Sequence, residues 1–218
     1  MLSPDAFYAR AYRYVRREYP DDIAWAKKLT VKTLLQMKSS GFLAEYVWVV
    51  YAAGFRVAVV QAKFPALREA FARFSLDRLA EMRNAPAALR IIANTRKASC
   101  VLRGAQLIAA EGFEKFKQRV LREGPDALMA LPGIGPITKD HLARNIGLAS
   151  VAKDDIHIQR VRRLFRCDSK DLFARHLSGR FRHPEGLVDL VIWRYCVDRA
   201  WMEDGFSSLQ SACRGKLA

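Results

Sequence analysis

The amino-acid sequence predicts an all-α fold, on three observations. Helix-start patterns recur along the chain, as in Ser3-Pro4-Asp5, Ser75-Leu76-Asp77 and Asn94-Thr95-Arg96. Apolar residues return at helical spacing, and the first such set is Phe7, Ala11, Tyr14 and Val15. No stretch alternates apolar and polar residues between turn pairs, so we expect no sheet of consequence.

The N-terminal elements follow in order. The first helix begins at Ser3-Pro4-Asp5, and Pro20-Asp21-Asp22 breaks the chain before a second helix over residues 23–37. Gly41 ends that region. Residues 42–53 form a helix that is apolar on every face, which predicts the centre of a helical bundle rather than a surface element.

The middle of the chain is a series of shorter helices. Gly54-Phe55-Arg56 predicts a bend before residues 57–63, and Pro65 predicts the start of a separate helix that ends near Phe71. The pattern then predicts helices that begin at Ser75, Pro86, Asn94 and Gly112, of which the last ends at Gly124.

Two helices joined by a glycine turn are predicted over residues 125–147. Gly124-Pro125-Asp126 opens a short helix that ends at Pro132, Pro136 suits the first position of the next helix, and Gly147 suits its C-terminal stop. The run Pro132-Gly133-Ile134-Gly135 between them must turn sharply and leave its backbone bare. Unpaired N–H groups at such a helix N-terminus bind phosphate.

The C-terminal part contains one acidic pair followed by basic residues. Asp155 precedes a helix that carries Arg160, Arg162, Arg163 and Arg166. A loop is predicted over residues 179–186, a last helix over residues 187–201, and a weakly patterned tail from Gly205 to Ala218.

The composition indicates a globular protein that binds a polyanion. Lys and Arg number 37 against 22 Asp and Glu, which gives a net charge of +15 in 218 residues. A ribosome-associated or merely basic protein has the same charge. No secretory signal opens the chain and no apolar run reaches bilayer length, so we expect no membrane contact. Four dispersed cysteines without a CxxC pair predict reduced thiols in the cytoplasm.

The chain contains the run Leu131-Pro132-Gly133-Ile134-Gly135, followed by a helix and then by Asp155-Ile156-His157-Ile158-Gln159-Arg160-Val161. Together these segments resemble the helix-hairpin-helix DNA glycosylase superfamily. That superfamily includes endonuclease III, MutY and the alkylpurine glycosylases. The resemblance covers about residues 125–165, with weaker similarity over 45–105 and 186–200. It implies two helical lobes with a DNA-binding cleft between them. One lobe is residues 41–148, with the hairpin motif at 125–147, and the other is 1–40 plus 149–218.

The resemblance assigns the chemistry to Asp155. A carboxylate beside the sugar stabilises the positive charge that builds up as the base leaves. The plain alternative is that Asp155 only caps the following helix, and both roles are compatible. Relatives that also cleave the strand carry a lysine where Ile137 stands, and isoleucine cannot form an imine, which predicts a monofunctional enzyme. A shifted lyase lysine at Lys139 or Lys153 stays open.

The resemblance also implies the DNA contacts. Backbone N–H groups of Gly133, Ile134 and Gly135 would meet a phosphate, with a hydroxyl contact from Thr138 and ammonium contacts from Lys139 and Lys153. The wedge that fills the gap of a flipped base is expected near Gly54, with Phe55 or Arg56 in that role. Aromatic candidates for the base pocket, which could equally be core residues, are Trp48, Tyr46 and Tyr51.

These expectations give one function with stated alternatives. The resemblance implies a monofunctional DNA N-glycosylase of base excision repair that acts on double-stranded DNA with a damaged or modified base, with an alkylated purine as first guess. We expect a cytoplasmic, nucleoid-associated monomer without metal, and without an iron–sulfur cluster because Cys196 and Cys213 lack closely spaced partners. The alternatives are a non-catalytic structure-specific DNA-binding protein and a bifunctional glycosylase/lyase.

Overall fold

A computed structural model describes residues 2–200, and every regular element in that range is helical, as the sequence predicts. The α-helices are α1 (Pro4–Glu18), α2 (Pro20–Lys28), α3 (Val31–Gln36), α4 (Ser39–Ala52), α5 (Val57–Ala70), α6 (Leu76–Glu81), α7 (Pro86–Ile91), α8 (Thr95–Glu111), α9 (Phe113–Glu123), α10 (Pro136–Asn145), α11 (Ile156–Leu164), α12 (Lys170–Phe181) and α13 (Glu185–Tyr195). Two 3-10 helices, Ala72–Phe74 and Pro125–Ala130, and a π-helical turn, Cys196–Ala200, complete the set.

The chain divides into two units. Residues 30–149 form one, called here the insert unit, and both chain ends form the other, called the terminal unit, over residues 1–29 and 150–218. The insert unit begins at Thr30, whereas the sequence placed its start at Gly41. Helix α3 belongs to the insert unit because Leu34 lies in its core and the Lys117 ammonium donates to the Leu35 and Met37 carbonyls.

The second predicted helix, over residues 23–37, is in fact two helices. Thr30 takes an extended backbone conformation and begins α3, where Thr30 N–H donates to Thr33 Oγ1 at 3.1 Å. The Thr33 N–H in turn donates to the Thr30 carbonyl at 2.8 Å. This capping pair stops one helix and starts the next, so the local threonines outweigh the continuous apolar spacing.

Helix α4 is the centre of the insert unit, as its all-round hydrophobicity predicts. Its residues from Phe42 to Tyr51 are mostly buried, and the helix packs against α5, α8 and α10. Pro65 does not start a new helix as expected but lies inside the continuous helix α5. The lost hydrogen bond is tolerated because Val60 and Leu67 are buried on either side of the proline.

The core of the terminal unit lies between α1 and α13. The Phe7 ring of α1 meets the Tyr195 ring of α13 with centroids 5.7 Å apart. Helix α12 was not predicted as an element, and its last turn replaces the first half of the predicted loop at 179–186. The last helix begins at Glu185 and continues through the π-helical turn, whereas the predicted tail from Gly205 to Ala218 lies outside the described residues.

Candidate catalytic and DNA-binding residues

The glycine turn, residues 131–135, connects the 3-10 helix Pro125–Ala130 to α10. Gly133 has a φ of +83°, which favours glycine, and a Cβ atom there would lie in tight contact, 3.3 Å from Cys100 Sγ. Gly135 has a φ of −123°, and no described atom lies within 4 Å of the position of its Cβ. Neither sterics nor conformation within the described chain explains Gly135, and its backbone faces open space.

The amides of the turn divide into two groups. Ile134 N–H donates to the Leu131 carbonyl at 3.1 Å, and Gly135 N–H donates to Thr138 Oγ1 at 2.7 Å. These two predicted phosphate donors are therefore engaged within the turn, as is the Thr138 hydroxyl. Among residues 2–200, no acceptor lies within hydrogen-bonding distance of the amides of Gly133 and Ile137. Those two amides remain available to a ligand.

Tyr46 supports the turn from below. Its buried hydroxyl lies 2.8 Å from the Cys100 carbonyl and 2.6 Å from the Pro132 carbonyl, so its single proton can be donated to either. Burial raises the pKa of this hydroxyl far above its usual value. A side chain at Gly104 would overlap the same hydroxyl. The structure therefore gives Tyr46 a bracing role, and sequence spacing had no means of linking it to Gly104.

The two side chains discussed for lyase chemistry on α10 differ in exposure. Ile137 is 47% exposed. Lys139 is mostly covered and forms an ion pair with Asp126 at the start of the preceding 3-10 helix. The pair ties the two helices of the motif together, and it means that a phosphate would have to compete with Asp126 for the Lys139 ammonium.

The residues predicted to form the wedge lie in an exposed turn, which Lys97 holds from its inner side. Gly54 has a φ of +75°, Phe55 is 38% exposed, and Arg56 is exposed. The Lys97 ammonium donates to the carbonyls of Val50 and Ala53 at the end of α4, the latter at 2.6 Å, and lies 5.2 Å from the Phe55 ring centroid. Burial lowers the pKa of Lys97. The turn is thus held at both its backbone and its aromatic side chain.

The two other aromatic candidates lie deeper. Tyr51 is fully buried with its ring centroid 6.0 Å from that of Phe71, and burial raises the pKa of its hydroxyl to about 12. Trp48 is half-buried and meets the Phe64 ring edge-on at 5.3 Å. Both placements are those of core aromatics, and base contact by either stays a prediction.

Asp155 lies in the terminal unit as the N-cap of α11. Its Oδ1 atom accepts N–H bonds from His157 at 2.9 Å and Ile158 at 3.1 Å. The carboxylate is therefore fixed in orientation and its negative charge is complemented by the helix N-terminus. Its side chain remains 18% exposed, so the capping role leaves part of the carboxylate accessible.

Lys153 is the immediate partner of this carboxylate. Its ammonium lies 3.2 Å from Asp155 Oδ2, its side chain is 8% exposed, and it sits 5.1 Å from the Trp193 ring centroid. A lysine so placed is an internal counter-ion of Asp155, and a phosphate contact by Lys153 stays a prediction. Trp193 is a neighbour of Lys153 that sequence reasoning missed, because two helices separate the two residues along the chain.

Three further titratable groups surround Asp155. Burial lowers the pKa of His157, against the opposing effect of the Asp155 charge. Burial also raises the pKa of Cys196 to about 12, so this thiol stays protonated. Asp154 has a buried Oδ1 atom for which the described residues offer no hydrogen-bond partner. Of the two adjacent acids, Asp155 is the one that the fold places at a helix N-terminus and beside a lysine.

Within residues 2–200, no group of three or more His, Cys, Asp and Glu side chains is arranged to hold a metal ion. Cys100, Cys167 and Cys196 are free thiols, and Cys213 lies outside the described residues. No helix in the described range is both long and apolar enough to cross a bilayer.

Comparisons of the chain with protein-family models, with curated proteins and with solved structures return no match.

Proposed function

We propose that the protein is a monofunctional DNA N-glycosylase that hydrolyses the bond between a damaged or modified base and its deoxyribose in double-stranded DNA. The observation that carries the proposal is the environment of Asp155. Two helix amides fix one carboxylate oxygen, a lysine lies beside the other, and the side chain still reaches solvent. An anion held in this way can stabilise a developing sugar cation without reorganising during the reaction.

The catalytic step follows from that geometry. As the glycosidic bond lengthens, positive charge develops at the sugar and the Asp155 carboxylate stabilises it. The bond to the base then breaks, water adds its oxygen to the anomeric carbon, and the proton that the water loses ends on the departing base, so the products are a free base and an abasic site. The Lys153 ammonium neutralises part of the Asp155 charge, which means that this lysine sets how much negative charge remains for the sugar.

The glycine turn supports a DNA partner. Segment 125–147 would act as a helix-hairpin-helix, in which the open amides of Gly133 and Ile137 bind a backbone phosphate at the start of α10. The net charge of +15 supplies nonspecific attraction that falls steeply with salt. A monomer in the cytoplasm and an alkylated purine as the excised base are parts of the same proposal, as is the DNA-binding cleft.

A panel of duplexes, each with one lesion, tests the proposal. The protein is incubated with alkylated, oxidised, deaminated and hypermodified bases, and abasic sites are scored by alkaline cleavage of the labelled strand. Abasic sites in at least one duplex are the expected result. Binding to the panel without any abasic site would leave a non-catalytic DNA-binding protein.

One observation favours a second candidate, the bifunctional glycosylase/lyase. Lys153 is largely buried and lies 3.2 Å from Asp155, where a neutral amine could attack the sugar while the carboxylate accepts its proton. Borohydride added during the reaction would trap the resulting imine as a covalent DNA adduct. A monofunctional enzyme gives no adduct. An adduct that Lys153→Arg removes and Lys139→Arg retains would establish the lyase and assign its nucleophile.

A further inference from the structure

Both arginines of helix α8 are exposed and have no acidic partner among the described residues. They are Arg96 and Arg103 of α8, and within residues 2–200 neither has a carboxylate oxygen within 4 Å. Some arginines of the same unit are paired, for example Arg73 with Glu69 and Arg119 with Glu111, whereas others also lack an acidic partner in the described range, so what distinguishes Arg96 and Arg103 is their place on α8. The charge of Arg96 and Arg103 is therefore available to a ligand.

Helix α8 brings both arginines beside the glycine turn. Gly133 packs against Cys100 so closely that a Cβ atom would lie 3.3 Å from its Sγ and Cβ atoms. At 3.6 residues per turn, Arg96 and Arg103 both lie within about 60° of Cys100 around the helix. One arginine precedes Cys100 along the axis and the other follows it, over a span of about 10 Å. Along α8, Arg96 and Arg103 are therefore attached on either side of the position that contacts the turn.

The local electrostatics favour an anion at this surface. Helix α8 begins without an acidic residue in its first turn, and instead carries Arg96 and Lys97 at its positive end. Helix α10, which begins at the glycine turn, also has no acid in its first turn. The Lys97 ammonium is occupied by backbone carbonyls. Two helix N-termini and two arginines without acidic partners in the part of the chain that the structure describes thus concentrate positive charge along α8 and at the start of α10.

We propose that Arg96 and Arg103 bind the DNA backbone phosphates that flank the phosphate at the glycine turn. A polymer with regularly spaced negative charges fits an extended row of donors better than a single small anion does. The proposal rests on the proposed DNA-binding role of the turn. It also reassigns the cationic contacts, because Lys139 and Lys153, which the sequence favoured, lie against Asp126 and Asp155.

The test measures binding of a fluorescein-labelled, undamaged duplex over a range of sodium chloride concentrations. Arg96→Gln and Arg103→Gln should each flatten the slope of log K against log salt by about 0.9, and the double variant by about 1.8. Arg96→Lys and Arg103→Lys should keep the wild-type slope, because the charge is retained. Arg68→Gln is the matched control and should keep the wild-type slope. Arg68 is also exposed, but it lies in the last turn of α5 and its guanidinium is 3.9 Å from the Glu69 carboxylate.

The readout separates this proposal from the enzymatic one. Variants that unfold thermally like the wild type but bind with flatter slopes support the arginine row, even if no duplex in the lesion panel yields abasic sites. A wild-type slope in the double Arg→Gln variant overturns the proposal that Arg96 and Arg103 bind phosphates, even if the enzyme is active. Absence of salt-dependent DNA binding by the wild type overturns it as well.

Discussion

The glycine turn and the Asp155 corner, which comprises residues 153–158 and Trp193, satisfy their polar groups in opposite ways. At the turn, two amides and the space over Gly135 are left open. At the corner, one Asp155 oxygen accepts two amides and the other lies beside an almost buried lysine. An open polar surface suits reversible binding of a solvated phosphate, whereas an engaged carboxylate suits chemistry that requires a fixed charge.

The two regions also differ in how far they depend on contacts with the rest of their own unit. The turn depends on a brace, because Tyr46 connects α4 to the carbonyls of Cys100 and Pro132. The corner depends mainly on contacts within a few residues, with Trp193 and Cys196 as the distant exceptions. Substitutions at residues distant in sequence should therefore disturb the conformation of the turn more than that of the corner.

Gly104→Ala should have the largest effect on stability. The added methyl group overlaps the Tyr46 hydroxyl and ring, so either helix α8 or the brace must move, at a cost of about 3 kcal/mol. Gly179→Ala in α12 is the matched control, since no described atom lies within 4 Å of its Cβ position and a helical alanine gains about 0.5–1 kcal/mol. Urea unfolding followed by circular dichroism measures both. Equal stability of the two variants would contradict the bracing role.

The two glycines of the turn should separate stability from binding. Gly133→Ala is strained by its positive φ and by Cys100, and should lose about 1–2 kcal/mol of unfolding free energy. Gly135→Ala should keep its stability within about 0.5 kcal/mol but bind duplex DNA about tenfold more weakly, because its methyl group occupies the space that a phosphate approaches. Urea unfolding and fluorescence anisotropy give the two numbers. Wild-type affinity in Gly135→Ala would place the phosphate elsewhere.

The smallest effect concerns acid stability at the corner. Burial holds the pKa of His157 below its usual value, so the unfolded chain binds a proton near pH 6.5 that the folded chain does not. The free energy of unfolding therefore falls as the pH drops below about 6.5, by less than about 1.4 kcal/mol per pH unit. His157→Gln should reduce that loss between pH 7 and 5, as urea titrations at each pH would show. Burial also lowers the pKa of His183, so a smaller loss of stability at low pH should remain in the His157→Gln variant.

The sequence predicted the features that depend on neighbouring residues. The positive φ of Gly133 and Gly147, the start of α10 at Pro136 and the capping role of Asp155 all follow from local chemistry. The insert unit's apolar centre followed from the composition of α4 alone.

Features set by distant residues were missed. Pro65 inside α5 is tolerated because its neighbours are buried, which no local rule expresses. The bracing of the glycine turn by Tyr46 and the contact of Lys153 with Trp193 both join residues far apart in the chain. The ion pair of Lys139 with Asp126 was missed for the same reason, since it becomes visible only when the two helices are folded together.

The central claim is that the Asp155 carboxylate carries the chemistry. The most direct measurement compares Asp155→Asn with the wild type on a duplex from which the wild type excises a base. Asparagine preserves the N-cap and the side-chain shape but removes the charge. Single-turnover formation of abasic sites should fall at least about a hundredfold, while the Kd for the same duplex stays within about threefold. Asp154→Asn is the adjacent control and should retain the wild-type rate. Near wild-type excision by Asp155→Asn would show that this carboxylate is only a helix cap.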